Sequence, residues 1–354
     1  MTPNPLLGVV FHWLGGFASA SFYVPYRKVK GWPWEIYWLI GGLFSWIVAP
    51  WIFAFIKVPN LIDVLSHATP ETLQFCVLFG LLWGLGGLTY GLTMRYLGLG
   101  LGTAVALSLC AFFGTLVPPI FHGTFFTEIL PTTHGKIVLL GLVLCLAGIC
   151  VIGFGAHNRE GDLPESERQS VIKEYNLKKG LLVAIFCGLM SSCFAFGIDW
   201  GKPINELALK AGVDPLFQGL ATLCVVLLGG ATTNIVWCLY LIVKNRSIAA
   251  MSAPTVAGEK RPSQLVNLIW CALAGTTWYL QFFFYTMGES QMGRYGFSSW
   301  TLHMASIIIF SSLWGFALKE WKGAKAKTLT MVMLGLTLLI ASTVVIGLGN
   351  AMKG

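Results

Sequence analysis

Charge is what this sequence has least of. Of its 354 residues 11% are Asp, Glu, Lys or Arg, while 56% are hydrophobic and the mean hydropathy is +0.73. A water-soluble domain carries roughly 25% charged residues, so an ordinary soluble enzyme or binding domain is excluded. The sequence has no P-loop, which argues against ATP-driven transport by this chain alone, and no HExxH or GxSxG, which weakens a membrane-embedded protease or lipase. No basic stretch precedes the first apolar run, so no cleavable signal peptide is expected, and no tract is long and polar enough for a separate soluble or output domain. The net charge of +8 and pI near 9.0 do not call for nucleic acid, because the basic residues are scattered among short loops. Cysteine is present nine times, yet always inside apolar runs, where it reads as a small core residue rather than part of a disulfide framework, metal site or redox centre. Neither a cofactor nor a metal is expected.

What is there is a series of apolar runs of roughly 20 residues, long enough to cross a bilayer as helices. Lipid offers the backbone no hydrogen-bond partner, so such runs are helices or a closed barrel, and this length points to helices. The fold expected is an all-α integral membrane protein with ten spans, near residues 5 to 26, 35 to 56, 73 to 94, 99 to 121, 136 to 156, 180 to 200, 216 to 243, 267 to 288, 297 to 318 and 328 to 349. Most of the 23 Lys and Arg fall on one set of alternate loops: Arg27, Lys28 and Lys30, Arg95, Arg159 to Lys179, Lys244 to Arg261, and Lys319 to Lys327. The positive-inside rule makes those loops cytoplasmic and puts both termini on the periplasmic side. Residues 157 to 177 and 244 to 266 read as flexible, solvated loops.

The chain repeats itself. Residues 140 to 155, LGLVLCLAGICVIGFG, and 334 to 349, LGLTLLIASTVVIGLG, match at an offset of 194 residues. A fainter match at an offset of 172 links Gly8, Gly16, Ser19 and Phe22 to Gly180, Gly188, Ser191 and Phe194. Two five-helix repeats follow, residues 1–157 and 180–354, joined by a cytoplasmic linker at 158–179. Five is odd, so the second repeat enters the membrane inverted, as in secondary transporters with a site at the midplane.

The stretch WYLQFFFYTMGESQMGRYGFSSWTLH from Trp278 to His303 is an aromatic helix set with polar groups. Trp278, Gln281, Tyr285 and Glu289 follow at i, i+3, i+7 and i+11, on one face. Trp83 and Tyr90 share a face with Gly87, which leaves room beside the rings. A pyranose has apolar C–H faces and a hydroxyl edge, which suits Trp278, Gln281, Tyr285, Tyr90, Trp83 and Tyr23, with core packing as the alternative. Trp32, Trp34, Trp38 and Trp321 fit an interfacial belt. His12 and His303 lie inside spans, where an imidazole is either a satisfied structural residue or a proton carrier, its unperturbed pKa lying near 6.5. With Asp199 and Glu289 they fall toward the outer side and form the candidate proton-coupling set. Asp199 also stands three residues from Lys202, the spacing of a local ion pair. The pairs Gly80/Gly84 and Gly87/Gly91 have the spacing of close helix contacts. Pro25, Pro50, Pro118 and Pro119 can kink or end helices, and Lys319, Glu320 and Trp321 read as a helix end.

FHWLGGFASASFY from Phe11, YGLTMRYLG from Tyr90, NLKKG from Asn176, VDPL from Val213, WYLQFFFY from Trp278, LHM from Leu302 and KEW from Lys319 together resemble the L-rhamnose-proton symporter family, within the drug/metabolite transporter superfamily of ten-helix inverted-repeat carriers. The resemblance spans essentially the whole chain. It implies a bacterial inner-membrane protein that takes up L-rhamnose with a proton, and it assigns no residue roles. ESQMGRYGF at 289 to 297 and the carboxylate at Asp199 depart from the family's pattern, which leaves room for a different or broader sugar specificity. The alternatives are an exporter or exchanger of the same fold, and a membrane enzyme acting on a lipid-linked sugar.

Overall fold

The computed structural model describes residues 3–161, 176–252, 263–319, 321 and 323–352. Among them there are helices and no strands. Ten long helices carry the architecture. They are α1 Pro5–Tyr26, α2 Trp34–Lys57, α3 Pro70–Leu97, α4 Leu99–Phe121, α5 Thr133–Gly161, α6 Leu177–Trp200, α7 Leu220–Lys244, α8 Gln264–Gln291, α9 Ser299–Ala317 and α10 Ala326–Ala351. Eight of the expected spans fall inside one of these, while 216 to 243 begins four residues ahead of α7 and 297 to 318 overruns both ends of α9, where short 3-10 turns lead into the helices. Nine of the described helical segments are long and apolar enough to cross a membrane. By that measure α8 does not join them despite its length, because Asn267, Thr276, Thr277, Gln281, Thr286 and Glu289 dilute its apolar run. Asn267, Gln281 and Thr286 are buried against protein. The greater part of the 158–179 linker, much of the 244–266 loop and Glu320 lie outside the described residues.

Local chemistry starts the helices where the sequence places capping residues. The side chains of Asn4, Thr69, Asn176 and Ser263 each accept a hydrogen bond from a backbone N–H three residues on, and proline opens α1 and α3. Gly98, at φ +80°, is the sole residue between α3 and α4, a conformation glycine adopts without the Cβ clash. Two prolines leave irregularities. α1 breaks at Phe22, just ahead of Pro25, and α2 passes through a π turn at Phe44–Val48 just ahead of Pro50. A proline supplies no N–H to the ladder and crowds the carbonyl four residues back.

The longest seam joins α5 to α10, and α3 lies along both α6 and α7, while α1 lies along α8 and α9. Glycine makes these approaches close. A Cβ on Gly80 would strike the carbonyl of Val226, and one on Gly275 the carbonyl of Gly41. Along α5 and α10, Gly141 faces Ile346 and Gly335 faces Ile152, while Cβ atoms on Gly155 and Gly349 would stand 3.0 and 2.9 Å from Val332 and Val138. Gly141→Val and Gly335→Val should therefore each overpack this seam by about 1–3 kcal/mol. Equal falls in melting temperature in detergent are expected; an unchanged melting point for either would contradict the packing.

One expectation is corrected. Gly80 and Gly84 do meet α7, but a Cβ on Gly87 or Gly91 would touch nothing within 4 Å. The same four-residue spacing serves a seam in one half of α3 and an open space in the other, because the helix leaves its neighbour between them. All nine cysteines are free, and only Cys150 is exposed.

Candidate functional site

Among the described residues two roomy hollows inside the bundle carry polar and aromatic groups. The larger, about 780 Å³, is walled by α1 through α9 and reaches the end of the bundle where Tyr23 and Trp34 are exposed. Trp83 and Trp278 meet there as a stacked pair, ring centroids 5.7 Å apart and planes 23° from parallel. They offer flat apolar surface, and polar groups stand around them: Ser19, Ser191, Asn234, Ser311 and the Tyr90 hydroxyl, 3.0 Å from Thr103 Oγ1. Asn234 is held in place at both ends of its amide, since Trp38 Nε1 donates to its Oδ1 (3.3 Å) and its Nδ2 donates to the Gly230 carbonyl (2.9 Å). A ring that stacks and amides or hydroxyls that hydrogen-bond are the two halves of carbohydrate recognition.

Aromatic side chains close the hollow on its deep side. Fully buried Phe194 packs on Phe282 at 4.3 Å, on Trp83 at 5.1 Å and, stacked, on Trp300 at 5.6 Å. Trp300 is fixed by a hydrogen bond from its Nε1 to the Cys110 carbonyl, and Thr115 and Thr301 pair their hydroxyls at 2.7 Å beside it, joining α4 to α9.

Beside this layer α1, α8 and α9 converge on His12 and His303, both fully buried. The ring centroids are 6.3 Å apart, and Tyr285 lies 5.5 Å from the first and 5.3 Å from the second. Glycines make the space. Gly288 of α8 abuts the His12 ring, and Gly15 of α1 abuts the His303 ring and the Gln281 carbonyl. Among the described residues none of the four ring nitrogens has a hydrogen-bond partner, nor does Gln281 Nε2. Buried polar atoms are normally satisfied, and these five gather at one junction of α1, α8 and α9.

The smaller hollow, about 410 Å³, lies past Tyr285 and Trp300 toward the opposite end of the bundle. It holds the ionisable groups: His122, Glu128, Asp199, Lys202 and Glu289. Asp199 pairs with Lys202, just past the end of α6, and, across to the end of α4, with His122, whose Nε2 is 2.6 Å from Asp199 Oδ2.

The face Trp278, Gln281, Tyr285, Glu289 therefore threads both hollows. Trp278 lines the large one together with Trp83, Tyr90 and Tyr23, Gln281 is sealed between α1 and α8, and Tyr285 and Glu289 line the small one with Asp199. The local ion pair expected of Asp199 is present, with His122 as an additional partner that no spacing announces, since it joins residues 77 apart. Trp34, Trp38 and Trp321, expected in an interfacial belt, also wall the large hollow. They stand at a bundle end that is itself the cavity mouth. Ser191 and Asn234 were missed: each is a single polar residue in an apolar run, with no pattern to separate it from a helix contact.

The match to known proteins is end to end. The family model for the L-rhamnose-proton symport protein (RhaT) covers residues 1–352. The chain belongs to that family. It is 36% identical over 346 residues, 98% of each chain, to the L-rhamnose-proton symporters of Shigella boydii serotype 18 (strain CDC 3083-94 / BS512) and of Escherichia coli (strain SMS-3-5 / SECEC). RhaT membership makes the chain a multi-pass membrane transporter and removes the alternative of a lipid-linked-sugar enzyme.

Proposed function

We propose that this chain imports L-rhamnose together with a proton across the bacterial inner membrane, by alternating access between two inverted five-helix halves, residues 1–157 and 180–354. The observation that carries the reading is the ring-lined, hydroxyl-lined hollow of about 780 Å³ inside a chain that matches the rhamnose symporters end to end. Its volume lies in the range of small-molecule sites.

Support for inversion comes from contacts that exchange under the sequence repeat. At the 194-residue offset, Gly141 with Ile346 becomes Gly335 with Ile152, and Gly155 with Val332 becomes Gly349 with Val138. The other seams pair likewise: α1 on α8 answers α6 on α3, and α1 on α9 answers α6 on α4. The positive-inside rule makes the end of the bundle at Arg95 cytoplasmic, with both termini periplasmic. The large hollow then faces inward, and the hollow at Asp199 and Glu289 is the outer vestibule.

In this reading the sugar stacks on Trp278 and Trp83 with Tyr90 and Tyr23 toward the mouth, and Gln281 and Tyr285 join it when the outer side opens. A proton enters past Glu289 and Asp199, and His12 and His303 hold it at the junction. Of the four, the imidazoles are the stronger carriers, because Asp199 is already committed to Lys202 and His122. Coupling needs the loaded and empty carriers to reorient more readily than the singly loaded one.

Proteoliposomes challenged with a panel of 6-deoxy and ordinary hexoses test this. L-rhamnose is expected to drive proton entry and to accumulate only while a proton gradient stands. Proton movement with another solute but not with rhamnose would overturn the substrate.

A further inference from the structure

The bare half of α3 carries a sharper statement about the sugar. Gly87 and Gly91 line the large hollow one turn apart, on the face that also presents Trp83 and Tyr90. Both glycines are exposed although they lie in the second half of a 28-residue helix. Elsewhere on this helix glycine is explained by what it touches: Gly80 meets the Val226 carbonyl, Gly84 meets Thr233, and Gly86 meets Ser191. Around Gly87 and Gly91 there is nothing within 4 Å for a Cβ to meet. Two mid-helix glycines with no packing role weaken a helix relative to alanine, and the chain keeps them on the wall of the large hollow. Glycine is the residue that lets a ligand approach backbone directly.

The flanking groups are fixed in a way that suits a ring laid across this gap. Trp83 is held by Trp278, Phe194 and Phe282 at 5.7, 5.1 and 5.5 Å, and the Tyr90 hydroxyl is anchored 3.0 Å from Thr103. Trp83 supplies an apolar plane at one end and Tyr90 a hydrogen-bonding edge at the other, two turns along. We infer that Gly87 and Gly91 form the seat on which the sugar ring lies, making them the residues that set the size limit of the substrate. The inference rests on the rhamnose reading above. The hollow is far larger than the one methyl group that an alanine adds, so Gly87→Ala or Gly91→Ala affects transport only if the sugar occupies that spot.

The test compares G87A and G91A with wild type in proteoliposomes, alongside melting temperature in detergent. Both variants should melt at or above the wild-type temperature, since no neighbour is displaced and a helix-favouring residue replaces glycine. The KM for L-rhamnose should rise about ten-fold or more, the order by which one misplaced carbon discriminates in a pocket, while kcat changes little. The aldopentose L-lyxose, which lacks the sixth carbon of L-rhamnose, should lose less than the 6-deoxyhexose does, so that the ratio of the two KM values shifts toward the pentose. A merely structural defect would weaken both sugars alike. Wild-type KM in both variants overturns the seat while leaving the rhamnose reading intact; a wild-type protein that moves no rhamnose removes both. Should either alanine lower the melting temperature, the pentose-to-hexose ratio in the other variant decides: an unchanged ratio overturns the seat, a shifted one supports it.

Discussion

Replacing both imidazoles, His12→Gln with His303→Gln, should abolish rhamnose accumulation against a gradient and leave sugar exchange across the membrane intact. Glutamine keeps a polar group of similar reach and forfeits proton exchange near neutral pH. Each single variant should lose at least about ten-fold in accumulation. The two rings, 6.3 Å apart with Tyr285 near both, share a site too dry to hold two positive charges. One proton at a time is therefore the expected load, and removing either ring changes the environment of the other. Counterflow of labelled rhamnose, measured with no gradient imposed, separates coupling from binding: it should persist in the double variant at near the wild-type rate. Full accumulation by the double variant would take histidine out of the mechanism and turn attention to Glu289.

Much of this arrangement is legible in the sequence. Ten apolar runs became ten long helices, since lipid leaves the backbone no alternative to internal hydrogen bonds. His12 and His303 had to be interior for the same reason, and they are fully buried. The α8 face of Trp278, Gln281, Tyr285 and Glu289 holds its register along the helix. Sequence spacing could not say that this face passes through two hollows, because where a cavity opens depends on how neighbouring helices diverge. Gly80 and Gly84 read identically to Gly87 and Gly91, and only the departure of α3 from α7 separates a seam from a gap. His122 was invisible for the parallel reason: its pairing with Asp199 is made by the crossing of α4 and α6, whereas Lys202 lies on the same helical run and could be read directly.

The proposed outer closure gives the second large effect. Thr115 of α4 and Thr301 of α9 are buried and hydroxyl to hydroxyl at 2.7 Å, and Trp300 beside them bonds the Cys110 carbonyl. Side chains this close are within disulfide reach. Oxidising T115C/T301C should therefore lock the carrier with its large hollow open and cut uptake to background, with recovery on reduction, while neither single variant responds to oxidant. On the proposed exchange of two inverted halves, repeated contacts also describe the other state. Gly16 of α1 meets Ser306 and Ile307, and its counterpart Gly188 of α6 meets Leu109 and Cys110, so α4 maps onto α9 at an offset of 197 residues. Carried across by the same offset, the pair Thr115 and Thr301 becomes Ser312 and Ala104. Both line the large hollow, and on the proposed orientation they are the inner counterpart of the outer closure. A104C/S312C should consequently cross-link only while rhamnose and a proton gradient drive turnover, trapping the outward-open form, and should stay reduced in the resting carrier. Cross-linking at equal rates with and without turnover, or no cross-linking under either condition, would show that the two halves do not exchange conformations as their repeated contacts require.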